Sequence, residues 1–164
     1  MQITHNVDYN ALCALIRRDI DVRASRMIDA DASAYERLSV TERTMSTMRD
    51  YIRQSVTDAV SMIVQRYTSS VEVSDDESAS IYISIDLPRN AVVDDARVWA
   101  LLDDYARHSA SAMWYATALA ADAAQQEQQY AATALAALRK LLTTRTAPTR
   151  TAPTRKERLS TDYE

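Results

Sequence analysis

No glycine occurs in this chain of 164 residues, where average usage would supply about eleven. Phosphate-cradling loops and dinucleotide-binding turns need glycine, because only a residue without Cβ lets the backbone approach a pyrophosphate at positive φ. Both are therefore excluded, as is the nucleophile elbow G-x-S-x-G of serine hydrolases. Phenylalanine is also absent, and its role falls to Ala, Leu, Ile, Val, six Met, nine Tyr and two Trp. That palette suits close helix packing more than a thick aromatic core. The single cysteine, Cys13, cannot form an internal disulfide; between Leu12 and Leu15 in a helical pattern it reads as a buried structural thiol. The N-terminus has neither the basic start nor the apolar run of a signal peptide. No stretch approaches about 18 apolar residues, so neither secretion nor membrane spanning is expected.

What is present describes one helical domain and a tail. Hydrophobic residues at 47% and charged residues at 26% are ordinary globular values, so the body is expected to fold. The net charge of −4 hides an asymmetry. Beyond Leu142 the tail carries Arg145, Arg150, Arg155, Lys156 and Arg158 against Glu157, Asp162 and Glu164, a net +2, which leaves −6 for the body. An acidic body argues against a duplex-binding face.

The first helix is expected to begin near Asn6 or Asp8, with Leu12, Leu15, Ile16 and Ile20 on one face, and to fade after Met27 and Ile28. Asp29, Asp31 and Ser33 have the alternate spacing of half a calcium loop. Ala34 stands where its glycine belongs and Val40 where its bidentate glutamate belongs, so a solvated interhelical loop is the better reading. Ser39 and Glu42 form a capping-box pattern ahead of a long helix over about 40–67, whose face is Met45, Met48, Ile52, Val56, Ala59, Val60, Ile63, Val64 and Tyr67. Ile52, Val56, Val60, Ile63 and Leu102 are expected core residues.

After Tyr67 the period changes from helical to alternating. Val71 and Val73, then Ile81, Ile83, Ile85 and Leu87, predict a β-hairpin at about 68–87, turning through the acidic Ser74–Ser78 segment and stopped by Pro88. An isolated hairpin is marginal in water, so this one must lie on the helices or add to strands of a neighbouring subunit. Asn90 is the expected cap of a third helix carrying Val98, Leu102, Tyr105, Ala112, Met113, Ala116 and Leu119. A break near Asp122 separates it from a fourth, with Tyr130, Ala134, Leu135, Leu138, Leu141 and Leu142 in its stripe and Gln125, Gln126, Gln128 and Gln129 on an exposed face. The fold class read from this order is mainly α: a four-helix bundle-like domain over 1–142 with an inserted β-hairpin, and an extended C-terminal arm over 143–164.

Candidate chemistry is sparse. Asp104 and His108 stand four apart on the third helix, a spacing that suits two metal ligands or an acid and base. The only other histidine is His5, and no His/Cys cluster exists to complete a site, so the pair reads as a surface pair. No catalytic, cofactor-binding or metal-binding residue is assigned, and the chain reads as a non-enzyme without a cofactor. The tail is the candidate binding element. Arg145-Thr-Ala-Pro-Thr is followed by Arg150-Thr-Ala-Pro-Thr-Arg155, a tandem pentad with no side chain able to anchor a core. Its forked donors suit carboxylates or phosphates. Partner-binding candidates are Arg145, Pro148, Arg150, Pro153, Arg155, Lys156 and Arg158.

In layout the chain resembles the small helical head-tail connector proteins of tailed phages and prophages of Bacteroidales. The similarity runs through the N-terminal helix, the second helix with Arg49-Asp-Tyr-Ile-Arg-Gln and the alternating segment ending at Leu87-Pro88. It continues in the third helix ending in Met113-Trp-Tyr, the last helix with Leu138-Arg-Lys-Leu, and the closing Arg-Thr-Ala-Pro-Thr-Arg. The Ala- and Gln-rich stretch around 116–137 departs from the charged helix of that family. The resemblance implies a virion structural protein at the head-tail junction, made in the bacterial host cytoplasm. Copies would form a homo-oligomeric ring on the portal and meet other connector and tail proteins. It also implies a place near DNA in the channel, without sequence-specific nucleic-acid binding, no membrane contact and no catalytic residue. The alternative reading is a cytoplasmic helical protein-interaction or regulatory domain with a disordered tail.

Overall fold

The first residues, expected to lead straight into a helix, form a strand instead. In the computed structural model, which describes residues 1–27, 33–64, 67, 68, 70–76 and 80–144, strand β1 spans Gln2–Asp8 and helix α1 spans Tyr9–Met27. Ile3 and Val7 are buried two to a turn of the pleat, while the flanking Gln2, Thr4, Asn6 and Asp8 face outward. Asp8 marks the changeover: its Oδ1 accepts from the backbone N–H groups of Asn10 at 2.7 Å and Ala11 at 3.1 Å, satisfying donors that a helix start leaves open. Along α1, Leu12, Cys13, Ile16, Ile20 and Ala24 are buried.

Part of the expected loop before the second long helix is itself helical. Helix α2 covers Ala34–Leu38 and closes through Ser39 N–H to the Tyr35 carbonyl at 2.9 Å. Ser39 thus ends a helix rather than capping the next one. A single tight turn over Glu42–Thr44 follows, in which Thr41 N–H donates to Thr44 Oγ1 at 2.9 Å, and helix α3 runs Met45–Ala59. The capping residues are therefore Thr41 and Thr44, not Ser39 and Glu42; Glu42 is exposed. The helix continues into a wider turn at Val60–Val64. Met48, Ile52, Val56, Ala59, Val60 and Val64 are buried, and the side chain of Ile63 lies outside the described residues.

The alternating segment forms strands β2 (Ser70–Asp76) and β3 (Ser80–Asp86), paired antiparallel with Val71 opposite Ile85 and Val73 opposite Ile83. Strand β1 pairs on the other side of β3, with Ile3 opposite Ile85 and Val7 opposite Ile81, giving the order β1-β3-β2. The hairpin thus lies on the helices, as the first of the two expectations had it, and is further stabilised by a third strand from the same chain, which the sequence reading did not foresee. β3 is central, and Ile81, Ile83 and Ile85 are almost wholly buried.

Helix α4 (Asp95–Thr117) is capped by Asp94, whose side chain accepts from Arg97 N–H, and not by Asn90 four residues earlier. Helix α5 (Ala121–Thr143) returns against it, so the break falls at 118–120, just before Asp122. Leu119 makes that break with φ of 59°. Ala120 N–H reaches the Tyr115 carbonyl at 2.8 Å and Leu119 N–H the Ala116 carbonyl at 3.2 Å. This is the Schellman pattern, which glycine usually completes. A glycine-free chain places an 86% exposed leucine there instead.

The core lies between the inner face of the sheet and the helices. α4 packs on both α3 and α5, and α1 on α3 and α4. Val98, Leu102, Ala106 and Ala110 of α4 are buried, as is the small and aliphatic stripe Ala124, Ala131, Ala134, Leu138 and Leu142 of α5. Trp114 reaches past this seam, its indole N–H donating to the Leu38 carbonyl at 2.7 Å in a buried position. That bond fastens α2 to α4 and satisfies the buried indole N–H. Each fully buried Ile or Leu contributes roughly 1.5–3 kcal/mol of transfer free energy.

Candidate functional site

Several polar side chains among the described residues form clamps between elements. His108 does not pair with Asp104, which is exposed; its Nδ1 lies 2.7 Å from Glu127 Oε2 on α5. Glu127 also accepts from Arg23 Nη1 at 3.2 Å, Arg23 bonds Gln126, and its guanidinium lies 5.2 Å from the centre of the Tyr115 ring. One chain of contacts thereby links α1, α4 and α5. The expected surface pair is instead a half-buried interhelical one, because antiparallel packing brings α5 closer to His108 than its own helical neighbour.

His5, the other histidine, stacks on Trp99 with ring centres 5.0 Å apart and lies 3.0 Å from Asp103 Oδ1. It joins β1 to α4. Its place in the Ile3-His5-Val7 alternation was the signal for β1, a period-two run of three residues.

Ser74–Asp76, expected in the turn of the hairpin, belong to the end of β2, and Asp75 there is likewise engaged by protein partners. Asp75 Oδ1 accepts from the Tyr9 hydroxyl at 2.7 Å, and Oδ2 accepts from Arg53 Nε at 2.6 Å. Arg53 also bonds Asp50 at 2.7 Å and lies over the Tyr9 ring at 5.7 Å. Burial, reinforced by the hydrogen bond to Asp75, pushes the Tyr9 phenol up to about 12. The bond to Asp75 raises the Arg53 guanidinium further above its ordinary value. Burial likewise pushes the Cys13 thiol up, with the Arg49 charge opposing it, and the side chain is part of the core.

Among the described residues no group of three or more His, Cys, Asp or Glu side chains converges as a metal site, and no helix is long and apolar enough to cross a membrane. Asp29 and Asp31 of the half calcium loop lie outside the described residues, as do all the tail candidates, Arg145, Pro148, Arg150, Pro153, Arg155, Lys156 and Arg158.

What the fold does offer is surface. Every residue of β2 except Val71 is exposed, including Val73 at 48%, although Val73 shares its sheet face with the wholly buried Ile83 opposite it. On the same face Val71 packs on the core and Asp75 reaches Tyr9 and Arg53, so Val73 is the exposed apolar residue between them. On β3, Tyr82 is 45% exposed on the outer face. A groove of about 490 Å³ along α5 is lined by Ala132, Leu135 and Ala136 and edged by Arg139 and Lys140. Comparison of the chain with protein-family models, with curated proteins and with solved structures finds no match.

Proposed function

We propose that this chain is a head-tail connector (adaptor) of a tailed phage or prophage, assembling as a homo-oligomeric ring on the portal at the head-tail junction. It acts by presenting surfaces, with no catalytic residue and no cofactor. The observation that carries the reading is the exposed edge strand β2. Val73 stays 48% exposed, and among the described residues the outer edge of β2 has no strand beside it, so it offers an edge and an apolar side chain to another copy. The edge is blunted by the exposed Glu72, which discourages indiscriminate pairing and favours a basic partner. The arm beyond Thr144 supplies that charge, with arginines five residues apart and Pro148 and Pro153 limiting the entropy lost on docking.

Native mass spectrometry and negative-stain imaging of the full chain, alone and with the portal protein of the same genome, test the proposal. Closed rings, or a ring formed on the portal, are the expected result. A monomer or dimer that ignores the portal overturns it in favour of a cytoplasmic interaction domain.

A further inference from the structure

The corner where α4 turns into α5 exposes a side chain that the fold of one copy does not explain. Leu119 holds φ of 59° with its side chain 86% exposed. A residue with Cβ adopts that conformation at a cost, and asparagine, which the chain uses elsewhere, meets it more cheaply. Within one copy nothing offsets the cost, since the leucine buries almost no apolar surface. Asp122, three residues on in the first turn of α5, is exposed and has no hydrogen-bond or ion-pair partner among the described residues.

The other end of the same helix carries the complement. The groove of about 490 Å³ at Ala132, Leu135 and Ala136 adjoins a hollow of about 320 Å³ that shares Ala132 and Leu135 and extends the apolar surface to Met113 of α4. Neither lining contains a carboxylate, and Arg139 and Lys140 at the groove's edge are exposed without an ion-pair partner among the described residues. The dipole of α5 accounts for the sign of the charge at each end, but not for an exposed leucine at one and an apolar groove at the other. Ala121 and Leu135 are about 21 Å apart along the helix axis, so the Leu119 corner cannot fill the groove of its own copy. A second copy brings apolar side chain to apolar groove and one carboxylate to two cations. We propose that the Leu119 corner of one copy seats in the α5 groove of the next, with Leu119 on Leu135 and Asp122 against Arg139 and Lys140. Each copy then keeps a free corner and a free groove, so head-to-tail contacts propagate and close into a ring when the rotation between copies allows it. Ring closure rests on the connector reading; the contact itself requires no portal.

Sedimentation velocity on the full chain tests it with two variants at exposed positions that do not threaten the fold of a single copy. Leu119→Gly removes the corner side chain, and Ala136→Glu, which keeps a good helix former, blocks the groove and repels Asp122. Where the wild type assembles, each variant alone should be monomeric, its assembly midpoint raised by about tenfold or more. Their equimolar mixture should form a heterodimer and nothing larger, because one intact corner meets one intact groove and the other two are disabled. Asp122→Lys should also prevent assembly, and Arg139→Glu with Lys140→Glu in the same chain should restore it. Assembly that Leu119→Gly leaves unchanged, or a mixture that stays monomeric, overturns the contact while the ring on the portal stands. A wild type that stops at a two-fold dimer overturns it as well. Open head-to-tail chains that ignore the portal support the contact and overturn the connector reading instead. A wild type that is monomeric at every concentration, with and without the portal, overturns both.

Discussion

The Tyr9 hydroxyl donates a 2.7 Å hydrogen bond to Asp75 Oδ1, tying the first turn of α1 to the far end of β2 across 66 positions of sequence. Because the folded-state value is pushed up to about 12 from an ordinary 10, the linked stability is fully present below pH 10 and is lost as pH rises from 10 through 12. The loss attributable to Tyr9 is about 2 kcal/mol. Tyr9→Phe should be destabilised by about 1 kcal/mol at pH 8 and lose stability less steeply above pH 10. Urea unfolding at pH 8, 10 and 11.5 checks this; parallel losses in the two proteins would show that Tyr9 does not titrate in that window.

Leu119 holds a left-handed conformation that costs a residue with Cβ roughly 1–2 kcal/mol. Its side chain is 86% exposed and contributes almost no burial. Leu119→Gly should therefore stabilise the domain, by about 0.5–1 kcal/mol once the greater freedom of glycine in the unfolded chain is deducted. A rise in thermal midpoint is the expected outcome, and a fall would mean that Leu119 makes a contact in an assembly.

Trp114→Phe keeps most of the ring but removes the donor to the Leu38 carbonyl. With that oxygen left buried and unmet, the expected cost is about 2–3 kcal/mol by equilibrium unfolding. A loss below about 0.5 kcal/mol would show that α2 repositions freely and does not depend on α4.

Ile52 is wholly buried on α3, so Ile52→Asp should cost several kcal/mol, about 4 or more, by placing an unpaired charge in the core. Unchanged thermal unfolding would remove this face from the core. It is the sharper probe of the helix than Ile63, whose side chain lies outside the described residues.

Removal of residues 145–164 should leave the helical circular dichroism signal nearly unchanged, because α5 ends at Thr143 and Leu142 is its last buried residue. Ring formation or portal attachment should be lost. Full incorporation of the truncated chain into virions would reduce the arm to a solvated end.

The four long helices and the hairpin were legible because each is a local repeat: Met48-Ile52-Val56 or Val98-Leu102 at helical spacing, Ile81-Ile83-Ile85 at alternate spacing. Element ends were less so. Asp94 and Asn90 are both competent caps, as are Thr41 and Ser39, and which one a helix uses depends on where packing stops it.

The sequence by itself determined the fold class, the acidic body and basic arm, and the exclusion of glycine-dependent phosphate chemistry, since these follow from composition and short-range period. Only tertiary structure made Gln2–Asp8 a strand, because its ladder is supplied by β3 nearly eighty residues later. It also gave His108 to Glu127 instead of Asp104. Hydrogen bonds and burial between distant segments carry no local period, so they are decided when the helices pack.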